Sequence, residues 1–498
     1  MQNLLTSQQI READAHTIST KPISSLDLME AASSAFVEEF KKEAPDKNLL
    51  ISIFCGTGNN GGDGLAIARL LWQDGYENIS VKIVPFSKGV SNDFSSNLER
   101  LKKTDVAIEE SALPEKLLRE NPDIIIDTLL GSGVNKPVDG LLKQVIQNIN
   151  SLGAKIISVD VPSGLKSEGI IAPYATTIKA ELAISFQLPK INFFFPETSK
   201  ALERFKVVNI GLDDKYIQTQ DSYWRLIEEK DIRMVLKPRK PFSHKGTYGH
   251  ALIIAGNKET MGAALLCADA CLYSGAGLTT ACIPESGLIA LNTRSPEIMA
   301  LIRSESISTG TFENYSAIAL GPGLGNDEET TKLLKDVLTA NQNNMVLDAD
   351  ALTILSRYQE LFSQLPAMSI LTPHMKEFDR MFGPHSSWWE RVETARQKAS
   401  EFNIIILLKN QYSFIVLPDG SVLINPTGNP AMAVGGMGDV LTGMIAAFLA
   451  QGYAAKDAAI LACYLHGKTG DGLKKEGMSS IPPRHVIKRL PFVIDGLY

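Results

Sequence analysis

The sequence predicts an α/β protein built from two tandem domains. Three observations carry that expectation. The chain has 498 residues, more than a single hydrophobic core usually serves. Short continuous apolar runs alternate with helical patterns through both halves, as they do when parallel strands are buried on both faces by helices. Between the halves, over 212–245, polar residues dominate, and Lys237-Pro238-Arg239-Lys240-Pro241 is basic and proline-broken. The junction is therefore placed near 220–225, which gives domains 1–222 and 223–498.

Residues 1–50 read as helical, opening on Thr6 with Gln9 three residues on, a capping-box pattern. The apolar runs 49–55, 81–85, 124–127 and 156–160 read as strands, with a helix over 64–71 and a last strand over 207–211. A second series follows at 251–256, 317–321, 345–348, 370–373 and 404–409. The runs 413–417 and 421–425 flank Pro418-Asp419-Gly420, a hairpin signal. The run 440–455 contains Thr442, Gly443, Gln451 and Gly452, so it reads as a buried helix rather than a membrane span. The two series share no repeated motif.

Composition narrows the class. Apolar residues make up 44% and charged residues 21%, ordinary for a globular protein. A net charge of −7 argues against a general nucleic-acid binder. The first residues lack the basic-then-apolar pattern of a secretory signal. Cysteines at 55, 267, 271, 282 and 463 show no metal-type spacing and read as reduced, buried thiols of a cytoplasmic protein.

The first chemical constellation is the run Gly56-Thr57-Gly58-Asn59-Asn60-Gly61-Gly62-Asp63-Gly64, between a strand and a helix. Glycines let the backbone approach a ligand, and the helix behind supplies free N–H groups and a positive dipole end, so a phosphate is the natural guest. The G-x-G-x-x-G pattern over 56–61 is weak alone, since tight strand–helix turns produce it without a ligand. Two further loops strengthen it. Asp127 ends a strand before Gly131-Ser132-Gly133-Val134-Asn135-Lys136-Pro137, and Asp160 ends another before Val161-Pro162-Ser163-Gly164. In an open α/β sheet such loops meet at the carboxyl edge of the strands. Asn60, Asp127 and Ser163 are hard oxygen donors suited to a monovalent cation, which leaves Asp160 as an acid or base.

These three motifs resemble the epimerase domain of the NAD(P)H-hydrate repair proteins, over roughly residues 1–220. The resemblance implies a Rossmann-like open sheet. It implies that Asn59, Asn60, Gly61, Gly62 and Asp63 bind the hydrated dinucleotide together with Gly131, Ser132, Gly133, Val134, Asn135, Lys136, Pro137 and Asp160. It also implies a potassium ion on Asn60, Asp127 and Ser163, with Asp160 catalytic. The same fold occurs as a non-catalytic scaffold in mRNA decapping; the presence of Asp127 and Asp160 favours the enzyme.

The second constellation is Gly435-Gly436-Met437-Gly438-Asp439 ahead of an apolar helix. Glycines at a helix N-terminus form an anion hole, and a carboxylate beside it suits phosphoryl transfer to a hydroxyl. A capping Asp is the plain structural reading of that residue. The stretch resembles the G-x-G-D motif of ribokinase-type kinases. With Ser243-His244-Lys245-Gly246, Gly321-Pro322-Gly323-Leu324-Gly325, Thr372-Pro373-His374, Lys409-Asn410-Gln411-Tyr412-Ser413 and Asn425-Pro426-Thr427-Gly428-Asn429, it resembles the ADP- or ATP-dependent NAD(P)H-hydrate dehydratases over about 230–498.

That resemblance implies a ribokinase-like domain. Ala263, Gly323, His374 and Asp439 would bind substrate, with Asp439 catalytic. Lys409, Asn410, Gln411, Tyr412, Ser413 and Gly438 would bind ADP or ATP with Mg2+. Three positions depart from the family pattern. Met375-Lys376 replace Pro-Gly after His374, Asn410 replaces Gly with Ser413 near the Thr position, and Met437 replaces Thr. The first bears on the shape around His374, the others on nucleotide affinity. His466 reads as structural.

The implied activity is repair of hydrated NADH and NADPH. The first domain interconverts the R and S forms, and the second dehydrates the S form after phosphorylating its C6 hydroxyl. The alternative is a ribokinase-type vitamin or sugar kinase carrying an N-terminal interaction scaffold. Hydrated NADH or NADPH and ADP are the expected partners, in a homo-oligomer, with neither nucleic acid nor membrane. The residues leave open ADP against ATP, and NADH against NADPH.

Overall fold

The computed structural model describes residues 1–86, 89–114, 121–133, 136–303, 309–341 and 343–498. The chain divides into two compact units. One comprises Asn3–Ser222 with Ser387–Trp389, and the other comprises Met1–Gln2, Tyr223–Ser386 and Glu390–Tyr498. A single cut between 222 and 223 misses these exchanges. Residues 1–2 fall in the second unit because strand β1 (Gln2–Asn3) extends the edge of its sheet.

The first unit is a parallel sheet of β2 (Ile51–Cys55), β3 (Ile79–Ile83), β4 (Ala107–Glu110), β5 (Ile124–Thr128), β6 (Lys155–Val159), β7 (Ala180–Phe186) and β8 (Leu202–Val208). Their order across the sheet is β4-β3-β2-β5-β6-β7-β8. Strands β2 and β5 are buried along their whole length, which is why they are mainly apolar, interrupted by Ser52 in β2 and ended by Asp127 and Thr128 in β5, rather than alternating. The expected last strand over 207–211 is shifted. Val207 and Val208 end β8, and 209–211 are coil, where Gly211 takes a positive φ. Strand β7 carried no separate signal in the sequence.

Helices α1 (Ser7–Thr20), α2 (Ser25–Glu43), α3 (Asn59–Gln73), α4 (Asn92–Leu101) and α5 (Gly140–Ser151) accompany this sheet. The Thr6–Gln9 capping box of α1 forms as the sequence predicts. The first and last residues of the unit are hydrogen-bonded to each other. Ser222 Oγ donates to the Leu4 carbonyl at 2.6 Å, and Asn3 Nδ2 lies 3.2 Å from the carbonyls of Gln218 and Gln220.

The second unit holds β9 (Trp224–Leu226), β10 (His250–Ile254), β11 (Leu278–Ile283), β12 (Met299–Ile302), β13 (Ala317–Leu320), β14 (Met345–Leu347), β15 (Ile370–Leu371), β16 (Ile405–Leu408), β17 (Phe414–Val416) and β18 (Val422–Ile424). The sheet order is β1-β9-β18-β17-β16-β15-β14-β13-β10-β11-β12. Strands β10 to β16 pair in parallel. β17 and β18 form the expected antiparallel hairpin around Pro418-Asp419-Gly420.

The helices that matter for this unit are α6 (Met261–Tyr273), α7 (Glu328–Ala340), α8 (Asp350–Arg357), α9 (Met375–Phe382), α10 (Met437–Ala450) and α11 (Ala455–Lys475). The expected single helix over 440–455 is two helices. Gly452, with φ 81°, ends the first, and the chain restarts at Ala455. Helices α6 and α10 pack together in the main core, and Cys267 and Cys271 on α6 are fully buried there. All five cysteines are free and buried. Among the described residues no helix is long and apolar enough to cross a membrane.

Candidate active sites

In the first unit the glycine-rich run begins α3. Its N-cap, Gly58, has no side chain to satisfy the first N–H groups, so they stay available to a ligand. The close turn demands glycine at 61, where a Cβ would stand 1.8 Å from the Gly56 carbonyl oxygen. Asn59 is exposed and Asn60 half-buried, while Gly61 and Gly62 are buried. Asn60 packs against Gly131, whose Cβ would lie 3.2 Å from that of Asn60, so the first two predicted loops meet. The Asn60 Nδ2 is buried and has no hydrogen-bond partner among the described residues.

Asp127, at the end of β5, is fully buried. Its Oδ2 accepts from Ser158 Oγ and the Ser163 backbone N–H, each at 2.8 Å, and its Oδ1 accepts from Ser163 Oγ at 2.6 Å. Burial raises its carboxyl above the ordinary range against the pull of these bonds. None of its hydrogen-bond donors is a cationic side chain. Thus the fold gathers Asn60 at the start of α3, Asp127 in β5 and Ser163 in the loop after β6 at the carboxyl edge of the sheet.

Asp160 follows β6 with φ 64°, a left-handed conformation uncommon for a non-glycine residue and often found at functional positions. Among the described residues its bonds all go to Oδ1. They come from Lys190 Nζ at 2.6 Å, the Phe186 N–H at 3.0 Å and Ser185 Oγ at 3.3 Å. Oδ2 is therefore left for another partner. Lys190, 3% exposed, is a site residue that sequence reasoning missed, because nothing in Leu188-Pro189-Lys190 marks chemistry. Asp14 on α1 was missed for the same reason. Burial and the nearby Asp160 raise its carboxyl to about 6 against the pull of Lys190. Asp63 is raised further by burial, Asp160 and Asp14.

Ser132 accepts from Ser7 Oγ through its carbonyl at 3.0 Å, which ties α1 to the 131–133 turn. Lys136 and Pro137 line a cavity of about 340 Å³ with Lys143, Gly164 and Lys166. Val134 and Asn135 lie outside the described residues.

In the second unit Gly436 takes a left-handed conformation that turns the chain into α10. The helix then offers the N–H groups of its first turn, with Asp439 as its third residue. Lys409 Nζ pairs with Asp348 Oδ1 at 2.7 Å, and Thr442 Oγ1 donates to Asp348 Oδ2 at 2.8 Å. Burial alone would raise Asp348, but the Lys409 ammonium and the Thr442 hydroxyl outweigh it and hold the carboxyl below the ordinary range. Asp439 is raised to about 6, first by burial and then by Asp348, against the pull of Lys409. A Cβ on Gly438 would stand 3.5 Å from Lys409 Nζ and 3.6 Å from Asp348 Oδ2, which fixes the helix start beside that pair. Asp348 and Asp350, in Asp348-Ala349-Asp350, are further residues that sequence reasoning missed. Two acids at a strand end were the available signal.

His374 caps α9. Its Nδ1 accepts from the N–H groups of Lys376 and Glu377, and its own N–H donates to Glu377 Oε2 at 2.8 Å. Because Glu377 completes this box, the Met375-Lys376 departure leaves the local turn intact. His374 also forms a parallel bridge with Lys409. Gly323, with φ 58°, packs on α6, where its Cβ would lie 2.9 Å from that of Ala263. Gly325 N–H donates to Asp350 at 2.9 Å.

A cavity of about 760 Å³ is lined by His374, Lys409, Asn410, Gln411, Ser413 and Gly438, together with 425, 427–430 and 432–437. Asn410, Ser413 and Met437, the departures from the expected pattern, all face it. Tyr412 is not among its lining residues, nor are Ala263, Gly323 and Asp439. Tyr412 sits just before the buried strand Phe414–Val416, where burial raises its hydroxyl. His466, expected to be structural, lines the cavity too, and burial lowers its imidazole to about 4.

Residues 251–492 match the NAD(P)H-hydrate dehydratase family, and residues 25–192 match the family described as YjeF-related protein N-terminus. The bifunctional NAD(P)H-hydrate repair enzyme Nnr of Moorella thermoacetica is 34% identical over 99% of this chain and 97% of its own length. The protein of the same name from Escherichia coli is 30% identical over 93% of this chain and 88% of its own. Among solved structures, a ribokinase-like superfamily protein from Enterococcus faecalis superposes with a TM-score of 0.52 at 30% identity, covering 56% of this chain and 98% of its own. An ADP/ATP-dependent NAD(P)H-hydrate dehydratase from Bacillus subtilis, co-crystallised with ATP and Mg2+, superposes with a TM-score of 0.50 at 33% identity, covering 55% and 99%.

Proposed function

The chain belongs to the family of bifunctional NAD(P)H-hydrate repair enzymes, and from that premise we propose how its residues divide the two reactions. It is an NAD(P)H-hydrate epimerase and dehydratase. We assign epimerisation to residues 3–222, with Asp160 as base, and dehydration to residues 223–498, with Asp439 as base. The observation that carries the second assignment is Asp439 itself. It is a half-buried carboxyl with its pKa near working pH, at a glycine-rich helix N-terminus beside the Lys409–Asp348 pair.

In the dehydratase, Asp439 takes the proton of the substrate's C6 hydroxyl as that oxygen attacks the terminal phosphorus of ADP or ATP. The P–O bond to the rest of the nucleotide breaks. The N–H groups at Met437–Asp439 and the Lys409 ammonium stabilise the charge on the transferred group. Phosphate is a far better leaving group than hydroxide. The lone pair of the ring nitrogen expels it, and loss of a C5 proton restores the dihydronicotinamide.

Lys409, Asn410, Gln411, Ser413 and Gly438 are assigned to the nucleotide, with Tyr412 supporting that loop from behind. Ala263, Gly323 and His374 are assigned to the substrate. Mg2+ would arrive with the nucleotide phosphates, and the Asp439 carboxyl beside the Lys409–Asp348 pair is the nearby acidic group that could face it. When bound, the ion would neutralise charge on the phosphates.

In the epimerase, Asn59, Asn60, Gly61, Gly62 and Asp63 at the α3 N-terminus and the 131–137 loop are assigned to the substrate. A potassium ion fits Asn60, Asp127 and Ser163. The support is a fully buried carboxylate none of whose hydrogen-bond donors is a cationic side chain, with Asn60 packed on the neighbouring 131 turn, where its amide oxygen could serve as a ligand. Bound there, the ion would supply a fixed positive charge at the sheet edge. A cytoplasmic homo-oligomer completes the proposal.

The deciding experiment follows 340 nm absorbance recovered from hydrated NADH, with and without ADP. Recovery that needs nucleotide and releases inorganic phosphate supports the assignment. Accumulation of a stable phosphorylated product would replace it with a kinase.

A further inference from the structure

The epimerase needs two proton-handling groups, and the assignment so far supplies one. Opening the ring inverts C6 of the hydrated nicotinamide without a co-reactant and without loss of its oxygen. A base removes the C6 hydroxyl proton, the C6–N1 bond breaks with its electron pair going to N1, and N1 takes a proton from an acid. The C6 oxygen is then an aldehyde. Rotation about C5–C6 presents its other face, N1 adds back as it returns its proton, and the oxygen is reprotonated. Every bond and proton is restored except the configuration at C6. The base and acid must act together, because unaided loss of N1 as an anion is slow.

We propose that Asp14 is that acid, protonating N1 while Asp160 Oδ2 accepts the hydroxyl proton. The inference rests on the reading that residues 3–222 are the epimerase with Asp160 as base. Three observations carry it. First, α1 is tied to the site at its start. Ser7 Oγ donates to the Ser132 carbonyl at 3.0 Å and to the Glu168 carboxylate at 2.8 Å. Asp14 lies seven residues on, hence two turns along the same face of the helix. Second, the carboxyl of Asp14 is half-buried yet makes no hydrogen bond or ion pair among the described residues, whereas Asp160 is held through Oδ1 by Lys190 and the Phe186 N–H. A positioned but unengaged carboxyl is what a proton donor to substrate looks like. Third, the groups around it are Lys190, Asp160, Arg11 and the neighbouring Asp63. Lys190 is committed to Asp160, so the surplus negative charge favours a proton on Asp63 and, less strongly, on Asp14. Burial and Asp160 raise the Asp14 carboxyl to about 6.

The test uses the full chain and the separated R and S forms of hydrated NADH. Asp14→Asn should lower the epimerisation kcat by about 10²–10⁴-fold with KM little changed, and Asp14→Glu should recover part of the loss. The wild-type rate should fall as pH rises through about 6, because the acid is then lost, and Asp14→Asn should lack that limb. A melt of the variant in which the transition of the first unit is retained reports that this unit is folded, and the wild-type pH profile needs no variant at all. An Asp14→Asn protein that epimerises at the wild-type rate, or that keeps the limb near pH 6, overturns the inference. A wild-type chain that dehydrates the S form but never interconverts the epimers overturns the epimerase assignment beneath it.

Discussion

Replacing Asp439 by Asn keeps the size of the side chain at the third residue of α10 and removes its ability to accept the hydroxyl proton. Loss of a positioned base costs about 10²–10⁴ in kcat, or ~3–5 kcal/mol of barrier. The same change should strengthen the fold. The Asp439 carboxyl rises from 3.8 to about 6 on folding. Between those values the folded state holds more protons than the unfolded one, so stability falls as pH rises from about 4 to 6 and stays reduced above. A two-unit rise corresponds to at most ~3 kcal/mol of strain at neutral pH. Allowing for partial solvent contact and for ~0.3–1 kcal/mol lost with the favourable charge at the helix N-terminus, Asn should gain ~1–2 kcal/mol. At pH 7 the melting transition of this unit should then rise by ~2–6 °C, and the gain should vanish below about pH 4. The assay pairs 340 nm recovery from the S form with a melt of the same sample. The acid limb near pH 6 of wild-type dehydration should disappear in the variant. Full dehydration activity in Asp439→Asn would refute the phosphoryl-transfer role. Lost activity together with a lower melting temperature at pH 7 would refute the claim that chemistry, not folding, was removed.

Other consequences can be checked alongside. Asp160→Asn should cut epimerisation while dehydrating the S form at the normal rate, and mixing it with Asp439→Asn should restore full conversion of both forms; failure of the mixture would mean the intermediate does not leave the chain. Epimerisation should run faster in potassium than in tetramethylammonium, and the advantage should shrink as pH falls, because the raised Asp127 carboxyl protonates and releases the cation; equal rates in both salts would remove potassium from the site. Lys409→Met should strand Asp348, which is 2% exposed, lowering stability by ~2–5 kcal/mol and moving the acid limb of dehydration to higher pH; an unmoved limb would show that Lys409 does not set the ionisation of Asp439.

The features most legible in the sequence were those in which one local stretch carries the whole signal. The glycines around Asn60 and ahead of Asp439 sit at helix starts, so residue type and position suffice to place them. Buried parallel strands announce themselves as apolar runs, though their ends shifted by up to three residues, and by five at the start of β8, because the runs do not stop where the strand hydrogen bonds do. Asp14 and Lys190 were illegible for the opposite reason. Each is a common residue in an ordinary helical or turn context, and only the sheet brings α1 and the turn after β7 to Asp160. Asp348 was readable as a strand end but not as the partner of Lys409, since the pairing spans 61 residues. His466 looked structural because its neighbours form an apolar helix. Whether a helix face meets core or cavity is decided by the element opposite, here the 425–432 loop.

The bonds between the first and last residues of the first unit make it a closed ring in all but one peptide link. Ser222 reaching Leu4, and Asn3 reaching 217–220, bring its two ends together. A segment of this kind can be lifted out or opened elsewhere without tearing its sheet. Joining residues 3 and 222 through a short linker and opening the chain at the exposed turn around 102–105 should give a circular permutant with the same strand order. In evolutionary terms such a unit travels as a cassette, free to be spliced beside a catalyst of unrelated architecture.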